Sequence, residues 1–174
     1  MTRSPRIGAL APAHRGALAQ LLAATGVFSA EEVEVALSLF DLSVESAVER
    51  GHAPDYEFVG AFDALESLMG YACFGPTPST ERTYDLYWLA VSPAAQGAGV
   101  GRALTGAVER TLAARGARLL VAETSGRPDY AATRAFYAAT GYHEVARIRD
   151  FYAPADDRIM LYRRLTGDPG VATR

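Results

Sequence analysis

The stretch that most constrains the fold runs from residue 84 to residue 116. Residues 84–91 are almost continuously apolar and aromatic, with Asp85 their one charge, which predicts a strand covered on both faces near the centre of a sheet. Pro93 stops that strand. Gln96, Gly97, Ala98, Gly99, Val100, Gly101 and Arg102 follow, and Val100, Leu104, Val108 and Leu112 then recur at four-residue intervals up to Gly116. The spacing predicts a helix over 99–115 with Gly116 as its C-terminal cap. A strand, a glycine turn and a helix in that order make an anion cradle. Glycines let backbone amides crowd around a charge without side-chain obstruction, and the helix start adds about half a positive charge.

Two phosphate-binding patterns fail here. A dinucleotide fingerprint needs a third small residue at 102, after Gly97 and Gly99, where Arg102 stands. A P-loop needs a lysine, and all 17 basic residues are arginine, which also removes a pyridoxal Schiff base. With net charge −3 and no basic run, nucleic acid is not an expected partner. Cys73 is alone and reads as a core residue, His14, His52 and His143 are too scattered for a metal site, and no Gly-x-Ser-x-Gly is present. No run approaches the roughly 18–20 apolar residues of a membrane helix, and the polar start at 1–6 lacks the apolar centre of a signal peptide, so the expected location is cytoplasmic.

The 174 residues, 49% hydrophobic and 21% charged, predict one globular domain over 1–165 followed by a loose tail at 166–174. Residues 6–10 read as a first strand and 13–24 as a helix ended by Gly26. Ser29 and Glu32 form a capping-box pattern opening a second helix to about Val48, with Val33, Ala36, Leu37 and Phe40 on its apolar face. Residues 57–62 and 67–74 read as hairpin strands, with a loop over 75–80 and a further strand over 118–123. Asp129 is placed to cap a helix over 130–139 that Gly141 stops, and 142–148 and 158–165 alternate like paired strands. The order is β α α β β β α β α β β. It predicts an α/β (α+β) fold: a single mixed, mostly antiparallel twisted sheet with helices on both faces.

The pattern Gln96-x-x-Gly99-x-Gly101, preceded by Val91 and followed by an amphipathic helix, resembles the acetyl-coenzyme A loop of the GNAT N-acetyltransferase superfamily. A later helix carrying Arg134, Phe136, Tyr137, Gly141 and Tyr142 resembles a second motif of that superfamily, and the element order over roughly 6–165 is similar too. The resemblance implies the GNAT acyltransferase fold and acetyl-coenzyme A as cosubstrate, with no metal. It implies direct acetyl transfer to an amine of a small molecule or peptide, by a monomer or homodimer. A coenzyme A-binding sensor that has lost turnover is the alternative on the same fold.

By the same resemblance the amides of 96–102 hold the cofactor diphosphate, Leu89 and Val91 bond the pantetheine arm, and the Val91 amide polarises the thioester carbonyl. Phe136 falls within the cofactor-binding helix, and Tyr137 matches the residue that protonates the departing thiolate. The superfamily often has asparagine where this chain has Tyr130, and Thr124 and Ser125 are replacement hydrogen-bonding groups. A lysine-like amine of pKa about 10.4 must lose a proton at a cost of roughly 4 kcal/mol, so a carboxylate base is sought. Asp85 and Glu123 are the candidates, each with the alternative of a structural carboxylate facing water or an arginine. Residues 150–157, rich in aspartate and aromatics, read as a loop that is either hairpin chemistry or part of the acceptor site.

Overall fold

The computed structural model describes residues 4–49 and 55–165. Its elements run β1 (Arg6–Ala9), α1 (Arg15–Thr25), α2 (Ala30–Glu49), β2 (Glu57–Phe62), β3 (Leu68–Pro76), β4 (Thr83–Val91), α3 (Val100–Ala114), β5 (Leu119–Ser125), α4 (Ala131–Ala139), β6 (His143–Ala153) and β7 (Asp156–Arg164). That is the expected order. The strands form a seven-stranded sheet in the order β1-β2-β3-β4-β5-β7-β6. Pairs β1–β2, β2–β3, β5–β7 and β6–β7 are antiparallel. Neighbours β4 and β5 are joined through α3, the crossover a parallel pair requires, so the sheet is mixed. The chain divides into two compact units, Met1–Pro76 with Leu86–Val108, and Thr77–Asp85 with Glu109–Arg174. The expected tail at 166–174 lies outside the described residues. Among the described residues no helix is long and apolar enough to cross a membrane.

In the first unit the helical spacing seen in the sequence becomes a core. Leu18, Leu21 and Leu22 of α1 and Ala36 and Phe40 of α2 pack with Phe58, Tyr71, Cys73 and Ala90 of the strands. Leu18 and Leu22 are wholly buried, each contributing about 1.5–3 kcal/mol by leaving water. Phe40 meets Phe58 edge-on at 5.2 Å, and Phe58 stacks on Tyr71 at 6.0 Å. The capping box forms as expected: the Glu32 amide donates to Ser29 Oγ at 3.2 Å, and the Ser29 amide to Glu32 Oε2 at 2.7 Å. Cys73 is the buried core residue the sequence indicates, and burial pushes its thiol pKa up.

β4 differs from expectation. Leu86 and Ala90 are buried, but Tyr87 is 37% exposed, its ring meeting Tyr56 edge-on at 5.2 Å. One face of the strand is therefore only half covered. Its far end is held tightly: the Ser92 amide donates to Met69 C=O at 2.8 Å, and β3 runs so close beneath that a Cβ on Gly70 would lie 2.8 Å from Ala90 O. Only glycine fits there without moving backbone.

In the second unit β7 pairs with β5 from Leu119↔Arg164 to Ser125↔Arg158, around buried Leu120, Ala122, Ile159 and Leu161. The Arg118 amide donates to Arg82 C=O at 2.8 Å, tying the start of β5 to the residue before β4. Two expectations are corrected here. Residues 150–157 are mostly strand, with β6 reaching Ala153 and β7 starting at Asp156. The ladder hides this because between Ile148↔Arg158 and Ala153↔Asp156 four residues of β6 oppose one of β7, a wide bulge. Asp129 does not cap α4: Arg127 takes its carboxylate through Nε at 3.0 Å, and a short 3-10 turn at Pro128–Tyr130 leads into the helix instead.

Candidate functional site

The glycine turn belongs to the first unit. After Pro93–Ala95, a single 3-10 turn, Gln96 returns to extended backbone, and Gly97 and Gly99 adopt φ of +78° and +80°. A Cβ on either would meet nothing within 4 Å, so it is the left-handed conformation that calls for glycine at both positions. The Ala103 amide donates to Gly99 C=O at 2.9 Å. The amides of Val100, Gly101 and Arg102 come before it, in the first turn where helix amides have no intrahelical acceptor. The Val100 side chain is 1% exposed and roots the helix start in the core. Gln96, Gly97, Ala98, Gly99 and Arg102 are exposed, and Leu89 and Val91 at the end of β4 are half-buried. Open amides at the positive end of a 15-residue helix suit a phosphate group.

The second unit holds the titratable candidates. Asp85, half-buried early in β4, accepts a 2.7 Å hydrogen bond at Oδ2 from the Thr77 hydroxyl. Glu123 sits on β5 with both oxygens engaged: the Tyr152 hydroxyl donates to Oε1, and Arg158 pairs with Oε2. The β6 bulge makes this possible by turning Phe151 and Tyr152 out of alternation, and Arg158 lies over the Phe151 ring at 4.9 Å. Burial, and then the Glu123 carboxylate, push the Tyr152 phenol pKa up. The Ser125 hydroxyl bonds to buried Asp156, while the Thr124 hydroxyl, equally buried, has no hydrogen-bond partner. Of the two replacement groups, Ser125 is therefore committed and Thr124 is free to bond a ligand.

Tyr137 is 4% exposed on α4, with Phe136 at 5.5 Å and Tyr142 at 5.1 Å, both edge-on. Burial raises its phenol pKa, so the hydroxyl keeps its proton at neutral pH, as an ordinary phenol does, and the phenolate is disfavoured. Tyr130 lies under the Arg127 guanidinium at 5.3 Å. The clamp of Tyr152 and Arg158 on Glu123 escaped the sequence reading, because only the bulge brings Tyr152 to it. No cluster of His, Cys, Asp and Glu suited to a metal occurs among the described residues.

Residues 19–142 match the model of the Acetyltransferase (GNAT) family. The chain belongs to that family. A solved GNAT-family acetyltransferase from Desulfovibrio desulfuricans superposes with TM-score 0.84 at 39% identity, covering 94% of this chain and all of that one. The N-alpha-acetyltransferase RimI of Mycobacterium tuberculosis is 34% identical over 120 residues, 67% of this chain and 71% of that protein. Mycothiol acetyltransferase of Amycolatopsis mediterranei is 46% identical over 70 residues, 38% of this chain, and the match spans only 23% of that protein's length. The fold also matches a Thermoplasma acidophilum N-acetyltransferase solved with coenzyme A, at TM-score 0.68 and 18% identity over 93% of this chain and 99% of that one.

Proposed function

We propose that this GNAT-family chain transfers an acetyl group directly from acetyl-coenzyme A to the amine of a small molecule or peptide. The observation that carries the reading is the exposed glycine turn at the start of α3, where the amides of Val100, Gly101 and Arg102 have no intrahelical acceptor, while those of Gln96 and Ala98 donate to Pro93 C=O at 3.4 Å and Ala95 C=O at 3.3 Å. Bound acetyl-coenzyme A supplies the thioester that is the acetyl source. The amides of Gln96, Gly97, Ala98, Gly99, Val100, Gly101 and Arg102 hold its diphosphate. Leu89 and Val91 bond the pantetheine arm through their main chain, and Thr124 and Phe136 are the further candidates for binding it. The Val91 N–H donates to the thioester oxygen as charge develops there, a contribution worth about 100- to 1000-fold in rate for one such donor.

Proton traffic falls to side chains. Tyr137, a phenol neutral at pH 7, gives its proton to the departing thiolate. Asp85 is the stronger candidate base of the two, since Thr77 engages only Oδ2, whereas both Glu123 oxygens are taken by Tyr152 and Arg158. Glu123 with Tyr152 then belongs to the acceptor side, where the carboxylates of the 150–157 hairpin attract a cationic amine.

The test is release of free thiol from acetyl-coenzyme A across a panel of amino acids, polyamines, aminoglycosides and peptide N-termini, repeated with Asp85→Asn and Glu123→Gln. At least one amine is expected to release thiol stoichiometrically with acetylated product. Asp85→Asn should lower kcat most at neutral pH, and the loss should diminish as the amine deprotonates at higher pH. Coenzyme A binding without turnover on any amine would contradict the proposal and leave a binding module.

A further inference from the structure

Glu109 is a carboxylate for which acetyl transfer has no evident task. It stands in the body of α3 with 14% of its side chain exposed, and a charge there must be paired to be tolerated. Arg163 of β7 reaches it, Nη1 lying 3.2 Å from Oε1. Tyr142, 3% exposed, comes from the segment between α4 and β6. Its hydroxyl and Glu109 Oε1 are both buried without a hydrogen bond of good geometry, yet each feels the other electrostatically. Arg110 is the remaining charge acting on Glu109, and Tyr137 and Arg163 are the other ionisable groups acting on Tyr142. Burial raises the Glu109 pKa, with Arg163 opposing it.

Both partners of Glu109 lead to Tyr137. Arg163 Nη1 donates to Thr140 C=O. Thr140 in turn donates to Tyr137 C=O through its amide at 3.1 Å and its hydroxyl at 3.1 Å. The Tyr142 amide donates to the same carbonyl at 3.0 Å, while its ring meets the Tyr137 ring edge-on at 5.1 Å and 62°. Residue 137 is thus gripped at its backbone by three donors and at its side chain by two rings, Tyr142 and Phe136. An apolar residue at 109 would fill the space but leave the part-buried Arg163 guanidinium without its carboxylate.

We propose that Glu109 is a positioning residue, which fixes the orientation of the Tyr137 ring by anchoring Arg163, the side chain that holds Thr140 against the Tyr137 carbonyl. The kinetic consequence rests on Tyr137 being the proton donor; the orientation itself does not. Replacing the carboxylate with its isosteric amide frees Arg163 to move, loosens its hold on Thr140 and lets the Tyr137 ring sample more than one pose.

The test is Glu109→Gln in the full chain, alone and with Tyr137→Phe, using the best amine acceptor. Loss of alignment should lower kcat about tenfold and leave KM for acetyl-coenzyme A unchanged. In the Tyr137→Phe background the same change should cost nothing further, since the phenol to be aligned is gone. A 3-fluorotyrosine at position 137 reads the orientation independently of turnover: one sharp fluorine resonance is expected in the parent, and a broadened or doubled one in Glu109→Gln. Arg163→Met, which keeps the aliphatic stem and removes the charge that meets Glu109, should give the same pattern, and it serves if Glu109→Gln fails to fold. A single sharp resonance in the variant, or an equal loss of kcat in the Tyr137→Phe background, overturns the inference. If Tyr137→Phe alone keeps the parent kcat, the proton-donor assignment fails and the fluorine resonance alone decides the positioning claim.

Discussion

Gly70→Ala tests how the glycine turn is rooted. A Cβ at this position would lie 2.8 Å from Ala90 O, 3.1 Å from Val100 Cγ1 and 3.2 Å from Leu104 Cδ1. The first contact is to a backbone oxygen of β4, and Val100 and Leu104 are at most 1% exposed, so none of the three can swing aside. Overpacking of this kind costs about 1–3 kcal/mol. Alanine returns about 0.5–1 kcal/mol by restricting the unfolded chain. The net loss is about 0–2.5 kcal/mol, a fall in melting temperature of up to about 10 °C for a chain this size. Scanning calorimetry measures it, and acetyl-coenzyme A should also stabilise the variant less than the parent, because the displaced atoms adjoin Val91 and the first turn of α3. Gly16→Ala is the control: nothing lies within 4 Å of its Cβ, it sits in α1, and it should raise the melting temperature slightly. If Gly70→Ala melts at or above the parent and binds acetyl-coenzyme A equally well, the close approach of β3 to the turn is refuted.

The β6–β7 hairpin supplies two more predictions. Ala155 holds φ of +63°, a conformation that costs an L-residue about 1–2 kcal/mol, so Ala155→Gly should raise the melting temperature by about 1–4 °C after glycine's own entropy is charged against it. Asp157 has its pKa lowered first by the Asp150 amide and then by Arg147. Its contribution is present above the unfolded carboxylate pKa of about 3.9 and is lost as pH falls through the lower folded value. Asp157→Asn should therefore melt below the parent at pH 7, and the gap should close in acid; a gap independent of pH would contradict the charge argument.

What the sequence made legible was what neighbours in sequence decide. The Ser29–Glu32 box, the stop at Gly26 and the Val100, Leu104, Val108, Leu112 stripe are local, and each forms as expected. The turn at 96–99 was visible because its glycines adopt conformations other residues avoid. Where a distant partner or a cross-strand register decides, the reading ran out. Residues 150–157 passed for a loop because a bulge erases alternation, and that bulge aims Tyr152 at Glu123. Asp129 had the right place for a cap, but Arg127 competed for its carboxylate and won. Glu109 gave no signal at all: mid-helix glutamates are common on exposed faces, and its partner Arg163 lies on β7, far along the chain.

The central claim is that the turn at 96–102 holds coenzyme A. Titrating acetyl-coenzyme A while following thermal unfolding tests it without knowledge of the acceptor. A ligand at a hundred times its Kd stabilises the native state by about 2.7 kcal/mol, so the melting temperature should climb by roughly 5–10 °C toward saturation. An unchanged melting temperature at millimolar acetyl-coenzyme A would contradict the assignment of the turn, and with it the account built upon it.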